Sequence, residues 1–205
     1  MEAKIVKYNE LGDLFKKEIL REYYEYRRSF FNLEYCQSVQ SFRTKLERIN
    51  FNNVRFYFVN HCGSGCGFNF VFNFNSLNDD YDNFFNLIGF EENELEKYKG
   101  SMYRALQFNF EVKTERNQFT FVTCDPSSYD IKVSIIEESD CYEGADKSEF
   151  CRELEEKVRD WYILTCEEMF NQIEKEWLKV MSNEALENEL QNNCLFTEYG
   201  TFYKG

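Results

Sequence analysis

Phe68-Asn69-Phe70-Val71-Phe72-Asn73-Phe74-Asn75 is the stretch that decides the fold, with Phe at every even position and Asn at three of the four odd ones. Successive side chains of an extended chain point to opposite faces, so this is a strand with one phenylalanine face and one wet face. Similar alternation marks Val54, Phe56 and Phe58; Leu106, Phe108, Phe110 and Val112; Phe119 and Phe121; and Ile131, Val133 and Ile135. Glu115-Arg116-Asn117 is short enough for a hairpin turn, and Asp125-Pro126-Ser127-Ser128 puts the single Pro in a turn rather than a ladder. Five strands linked this way form an antiparallel meander.

A sheet with one greasy face needs a cover, and the flanking sequence supplies helices. Leu14, Phe15, Ile19, Tyr23, Tyr26 and Phe30 recur at three-to-four spacing, predicting a helix from about Gly12 to Phe30. Val39, Phe42, Leu46 and Ile49 predict a second over Ser38 to Ile49, closed by Asn50, Asn52 and Asn53 as turn residues. The segment from Ser76 to Gly100 is an acidic insertion with a short helix around Tyr81 to Ile88.

The strongest helical pattern runs from Lys147 to Met181. Leu154, Val158, Trp161, Thr165, Met169, Ile173, Trp177 and Val180 form one stripe, and Asp146 with Glu149 has the spacing of a capping box. At about 1.5 Å per residue such a helix is roughly 50 Å long, enough to cross the apolar face of the sheet. A shorter helix restarts at Ser182 or Asn183 with Leu186 and Leu190, and Phe196 and Phe202 flank Glu198-Tyr199-Gly200 in a closing hairpin. The expected architecture is a single α+β domain over residues 1–205. It has an antiparallel five-stranded sheet with helices packed on one face, a long C-terminal helix and a terminal β-hairpin.

Composition narrows the function classes. An aromatic content of 19% excludes a disordered chain despite a net charge of -13. Met1-Glu2-Ala3-Lys4 leads into charged sequence, and no window holds the roughly 20 apolar residues of a membrane span, so a soluble, unexported protein is expected. The eight cysteines are scattered without the spacing of a disulfide scaffold, and a reducing compartment is expected. Residues 1–55 carry 11 basic against 8 acidic side chains, and residues 56–205 carry 13 against 29. Such a field repels nucleic acid and anionic membranes and steers basic partners in.

The loop His61-Cys62-Gly63-Ser64-Gly65-Cys66-Gly67 holds the only His. Its glycines permit positive φ and an anion-binding nest of N–H groups, which would suit a nucleotide or small ligand. It lacks the Lys-Ser or Lys-Thr of a P-loop and no helix follows it, so a glycine-rich turn joining two antiparallel strands accounts for it better than a phosphate motif does. His61, Cys62 and Cys66 fall short of the four ligands of a structural zinc site, so no metal or other cofactor is expected. Cys62 or Ser64 as nucleophile would need His61 as base, yet neighbours in an extended segment face apart, and no catalytic residue is assigned.

Carboxylates supply the other candidate surface: Asp79, Asp80, Asp82, Glu137, Glu138, Asp140 and Glu143. The Asp79 to Asp82 run lacks the Gly and distal Glu of a calcium loop. Together with Glu149, Glu153, Glu156, Asp160, Glu167 and Glu174 on the outer side of the long helix, these residues could present a broad negative surface. Lys and Arg clusters answer carboxylates much as they answer phosphates, so this surface could compete for a nucleic-acid groove on another protein.

The segment from Val54 to Phe68 resembles a family of small phage and plasmid proteins that carry a Phe-Ser-Gly-Phe-Trp-Ser-Gln-Gly-Asp-Gly-Ala-x-Phe motif. The likeness resumes at Arg159-Asp160-Trp161-Tyr162, at Glu174-Lys175-Glu176, from Leu178 to Glu184 and at Leu195-Phe196-Thr197-Glu198-Tyr199-Gly200. Gly63 and Gly65 match the two loop glycines. His61, Cys62 and Ser64 stand where that family has Ser, Gln and Asp, so a polar site built on them is altered here. The resemblance implies an accessory protein of a phage or mobile element in a bacterial cytoplasm. The expected function is a non-enzymatic, acidic inhibitor of the anti-CRISPR or anti-restriction type. Its expected partner is a host protein with a basic nucleic-acid-binding surface, with no direct nucleic-acid or membrane contact. The alternative is a nucleotide or small-ligand binding or sequestering protein, or a hydrolase, working through the glycine loop.

Overall fold

The computed structural model describes residues 4–29, 31–59, 65–74, 81–99, 108–116, 129–138 and 147–203. In chain order they form β1 (Ile5–Val6), α1 (Asp13–Ser29), α2 (Gln37–Glu47), β2 (Phe51–Val59), β3 (Gly65–Phe74), α3 (Tyr81–Leu87), α4 (Glu92–Leu95), β4 (Phe108–Arg116), β5 (Tyr129–Glu138), α5 (Lys147–Met181), α6 (Asn183–Asn193) and β6 (Phe196–Thr197). Contacts divide the chain into two compact units. One is Met1–Asn32 with Ile173–Gly205, the other Leu33–Gln172.

The larger unit is built on an antiparallel sheet in the order β2-β3-β4-β5. The even residues Phe68, Phe70, Phe72 and Phe74 are all buried, while Asn73 on the opposite face is exposed. Helices cover that one phenylalanine face, as the pattern requires. Phe42 of α2 meets Phe56 and Phe68 at 5.9 and 5.8 Å between ring centroids, and Phe84 of α3 stacks on Phe72 at 3.9 Å. From α5, Phe150 reaches Phe110 at 5.4 Å and Tyr162 reaches Phe68 at 4.8 Å. Aromatic pairs at such separations contribute about 0.5–1.5 kcal/mol each beyond the area they bury, so this layer is the dominant stabilising element of the unit.

The five-stranded sheet is not what forms: the described residues make one sheet of four strands and one of two. β4 pairs directly with β5 from Phe108 opposite Glu138 to Arg116 opposite Tyr129, so no strand lies between them. Phe119 and Phe121 lie outside the described residues. Glu115 and Arg116, expected in a turn, are ladder residues instead. The misleading residue is Thr114, whose hydroxyl interrupts the apolar alternation yet is buried. It accepts from Phe70 N at 2.9 Å and donates to Phe68 O at 3.3 Å, which removes the usual cost of a hydroxyl inside.

The start of β2 also differs. Asn52 and Asn53 are strand residues, and the register slips between Asn52 and Arg55 where Asn53 adopts φ 56°. Asn tolerates the left-handed region better than most residues, so the same chemistry that signals a turn here makes a bulge.

Along α5 the buried stripe up to Gln172 is Phe150, Leu154, Val158, Tyr162, Thr165, Cys166 and Met169. Trp161, expected at its centre, is half-buried at its edge, 5.7 Å from Phe51 and 6.0 Å from Phe68. Tyr162 takes the inner place because its hydroxyl has a use there: it accepts from Phe68 N at 2.9 Å and donates to Phe68 O at 3.0 Å. Asp146, the proposed cap of this helix, is outside the described residues.

The smaller unit joins both ends of the chain. β1 pairs antiparallel with β6, and Val6, Tyr8, Leu11 and Ile19 share one core with Leu190 and Phe196. Ser182 caps α6 by accepting from Ala185 N at 3.2 Å. The expected hairpin is present as a bridge between Phe196 and Phe202, closed by Thr197 N to Thr201 O and Tyr203 N to Leu195 O, both 2.8 Å. Val180, expected on the buried stripe, is 41% exposed, and Trp177 is half-buried against Tyr24 at 6.2 Å.

Candidate functional site

Most of the glycine-loop candidate falls outside the described residues: His61, Cys62, Gly63 and Ser64 all do. Gly65 is a strand residue of β3 opposite Val59, followed by Cys66 opposite Phe58 and Gly67 opposite Tyr57. Cys66 is 1% exposed, a packed small side chain rather than an open ligand. Gly67 is required for packing, because a Cβ there would come within 2.4–2.5 Å of the Tyr129 ring. Gly67 therefore serves close strand packing, and Gly65 is a ladder residue. Among the described residues no three His, Cys, Asp or Glu side chains cluster as a metal site.

Of the first acidic group, Asp79, Asp80, Asp140 and Glu143 are outside the described residues. Asp82 is placed in α3, and Glu137 and Glu138 end β5 opposite Asn109 and Phe108. The helical carboxylates are better defined. Glu149, Glu153, Glu156, Asp160 and Glu167 lie within a sector of about 60° along roughly 27 Å of α5, given 3.6 residues per turn and 1.5 Å per residue. Glu174 belongs to the other unit and is half-buried.

Basic side chains of the same unit occupy the N-terminal part of this stripe. Lys97 Nζ lies 2.7 Å from Glu153 Oε1 and 3.5 Å from Glu149 Oε1, and Tyr98 Oη donates to Glu153 Oε2 at 3.0 Å. Lys157 Nζ lies 2.9 Å from Glu94 Oε1, donates to Gly89 O at 3.1 Å and sits 5.6 Å from the centre of the Phe90 ring. Between them is a groove of about 470 Å³, walled by Phe90, Glu94, Lys97, Glu153, Glu156, Lys157 and Asp160. Neither lysine was singled out in the sequence. The signal for Lys97 was the isolated Lys97-Tyr98-Lys99 inside an otherwise acidic insertion, whereas Lys157 is one of several lysines along α5 and had none.

Further along, Glu156 pairs with Arg152 at 3.3 Å, and Asp160, Glu167 and Glu168 are exposed. The stripe thus has a neutralised half, which pins the segment around α4 to α5, and an acidic half toward Glu167. Exposed pairs contribute about 0–1 kcal/mol each, so the pinning is weak per contact and depends on several acting together.

The hydrogen bond from Lys97 holds the Glu153 carboxyl below the ordinary carboxylate range, and burial pushes the Tyr98 hydroxyl up to about 12. A carboxyl whose folded pKa is depressed contributes stability above its unfolded value of about 4.5, lost as pH falls through the folded value. A Lys97→Met variant is therefore expected to raise the Glu153 pKa toward 4.5 in a carboxyl NMR titration, with its acid unfolding moved to higher pH. An unchanged titration in the variant means the ion pair is not formed in solution.

No protein-family model matches the chain, and no curated protein or solved structure was found to match it. The functional reading therefore stands on charge and geometry.

Proposed function

We propose that this protein is a non-enzymatic binder whose acidic surface occupies the basic nucleic-acid-binding groove of a host protein, in the manner of an anti-CRISPR or anti-restriction inhibitor. The observation that carries the reading is the exposed part of α5 beyond Lys157, where Asp160 and Glu167 continue the stripe and Glu168 stands about 100° round the helix from Glu167, on a chain of net charge -13. A preformed helix holds these carboxylates at fixed spacing, so a basic partner meets them without the ordering cost of a flexible acidic tail. Steering by the whole-protein field then speeds encounter, and high salt opposes it because exposed charges are screened over about 8 Å at physiological ionic strength.

The test is capture from a bacterial lysate at low salt, followed by titration of the purified partner. Expected is a nucleic-acid-binding protein displaced by competing duplex DNA. Its affinity should drop about tenfold or more, or roughly 1.4 kcal/mol, when Asp160, Glu167 and Glu168 are together replaced by Lys. Since all three are exposed, the thermal midpoint of that variant should stay near the parent's. Equal binding by parent and variant, or a partner indifferent to DNA, sinks the proposal.

A further inference from the structure

Among the described residues β5 forms an edge of the four-stranded sheet, and it carries a feature that the acidic-docking reading does not use. β5 is the outermost strand among the described residues, ten residues long and paired to β4 on one side. On its other side Glu155 reaches out from α5, and its Oε1 accepts from the backbone N–H of Val133 at 3.0 Å. The carboxylate occupies the place where a further strand would put a carbonyl.

Strand alternation fixes what that place means. Val133 N–H points away from β4, so the amides of Ile131 and Ile135 point the same way, because the register has no slip between Phe110 opposite Ile135 and Thr114 opposite Ile131. An exposed edge of this length is a template for pairing with another chain. A second copy of β5 fits it. Antiparallel pairing about a two-fold axis at Val133 sets Ile131 against Ile135 of the other copy and Lys132 against its Ser134, with no like charges opposed. The apolar inner faces, with Ile131 and Val133 both buried, would then run on continuously. In that register the Val133 amides face each other at the axis, where both copies present Glu155.

We propose that Glu155 is an edge guard: by capping Val133 N–H with a charged acceptor, it keeps β5 from adding to β5 of a second copy. Two carboxylates brought to one axis would repel, and either one blocks the central ladder bond before docking begins. The guard is specific to position. It seals the amide at the centre of the self-complementary register and leaves the ends of the strand to other devices.

The experiment measures self-association by sedimentation velocity over a wide concentration range, for the parent, Glu155→Ala, Glu155→Gln and the double variant Glu155→Ala with Ile135→Pro. Expected is a monomeric parent and an Ala variant that dimerises at least tenfold more tightly. The Gln variant, which keeps an acceptor, should stay close to the parent. Proline at 135 removes an outward N–H without costing a β4 bond, so the double variant should return to monomer. Hydrogen exchange of the parent gives a readout independent of how the variants fold: the Val133 amide should be protected like a ladder amide. A monomeric, folded Ala variant overturns the proposal, as does association that proline leaves intact, a parent that is already dimeric, or a fast-exchanging Val133 amide.

Discussion

Replacing Gly67 with Val is expected to destabilise the larger unit by about 3 kcal/mol, the upper range for forcing extra carbon into a packed site. The Cβ alone would meet the Tyr129 ring at 2.4–2.5 Å, and the ring is poorly placed to retreat, being 1% exposed and wedged between Tyr57 at 6.5 Å and Tyr162 at 5.6 Å. Chemical denaturation of Gly67→Val, of Tyr129→Ala and of the two together reads the cause directly. If the clash is with that ring, the double variant loses less than the sum of the two single losses, as contacting pairs do. Strict additivity would show that the glycine is needed for some other reason.

Tyr162→Phe is expected to cost about 1–3 kcal/mol while leaving the core volume almost unchanged. The hydroxyl accepts from Phe68 N and donates to Phe68 O, and Phe68 is fully buried. After its removal Phe68 O keeps the 3.3 Å bond from Thr114, whereas Phe68 N loses the acceptor it uses now. The loss should therefore appear as faster exchange of the Phe68 amide as well as a lower unfolding midpoint. A variant with parent-like stability and a protected Phe68 amide would show that another acceptor had moved in.

These two residues also show where the sequence was readable and where it was not. The period-two phenylalanines announced β3, and their neighbours on β2, β4 and β5 followed, because alternating burial on a sheet is a local rule. The bounds of α5 were legible for the matching reason at helical period, although Trp161, Trp177 and Val180 of the expected stripe are not among its buried residues. What escaped was the polar carpentry between elements. β3 pairs β4 only from Val71 to Phe74, and above that point Thr114 and Tyr162 complete the backbone bonds of Phe68 and Phe70 through side chains. Nothing in a one-dimensional pattern says that a Thr at position 114 or a Tyr rather than the adjacent Trp161 will be turned inward for its hydroxyl. That choice is made by partners 44 to 94 residues away.

The acidic surface was half legible. Carboxylates at helical spacing could be placed on one side of α5 from the sequence, but their neutralisation by Lys97 needed the fold. Lys97 is 56 residues from Glu153, and the pair exists because α4 and the turn after it lie against the helix. The effective charge is thus displaced toward Asp160 and Glu167, and any variant series should begin there rather than at Glu149. The glycine-loop alternative has the opposite history: its two described glycines, Gly65 and Gly67, are occupied by strand pairing.

The closure of the smaller unit by both chain ends has a consequence for biosynthesis. Residues Leu33–Gln172 leave the ribosome as a complete set, so their sheet and most of the α5 cover can assemble while the remainder is still being made. The first thirty residues have no such freedom: Val6, Tyr8, Leu11 and Ile19 must wait for Leu190 and Phe196 before they find their common interior. Translation stalled or terminated short of residue 196 would therefore release a chain whose inserted unit is finished and whose opening helix is left with greasy side chains unhoused, a ready substrate for chaperones and proteases.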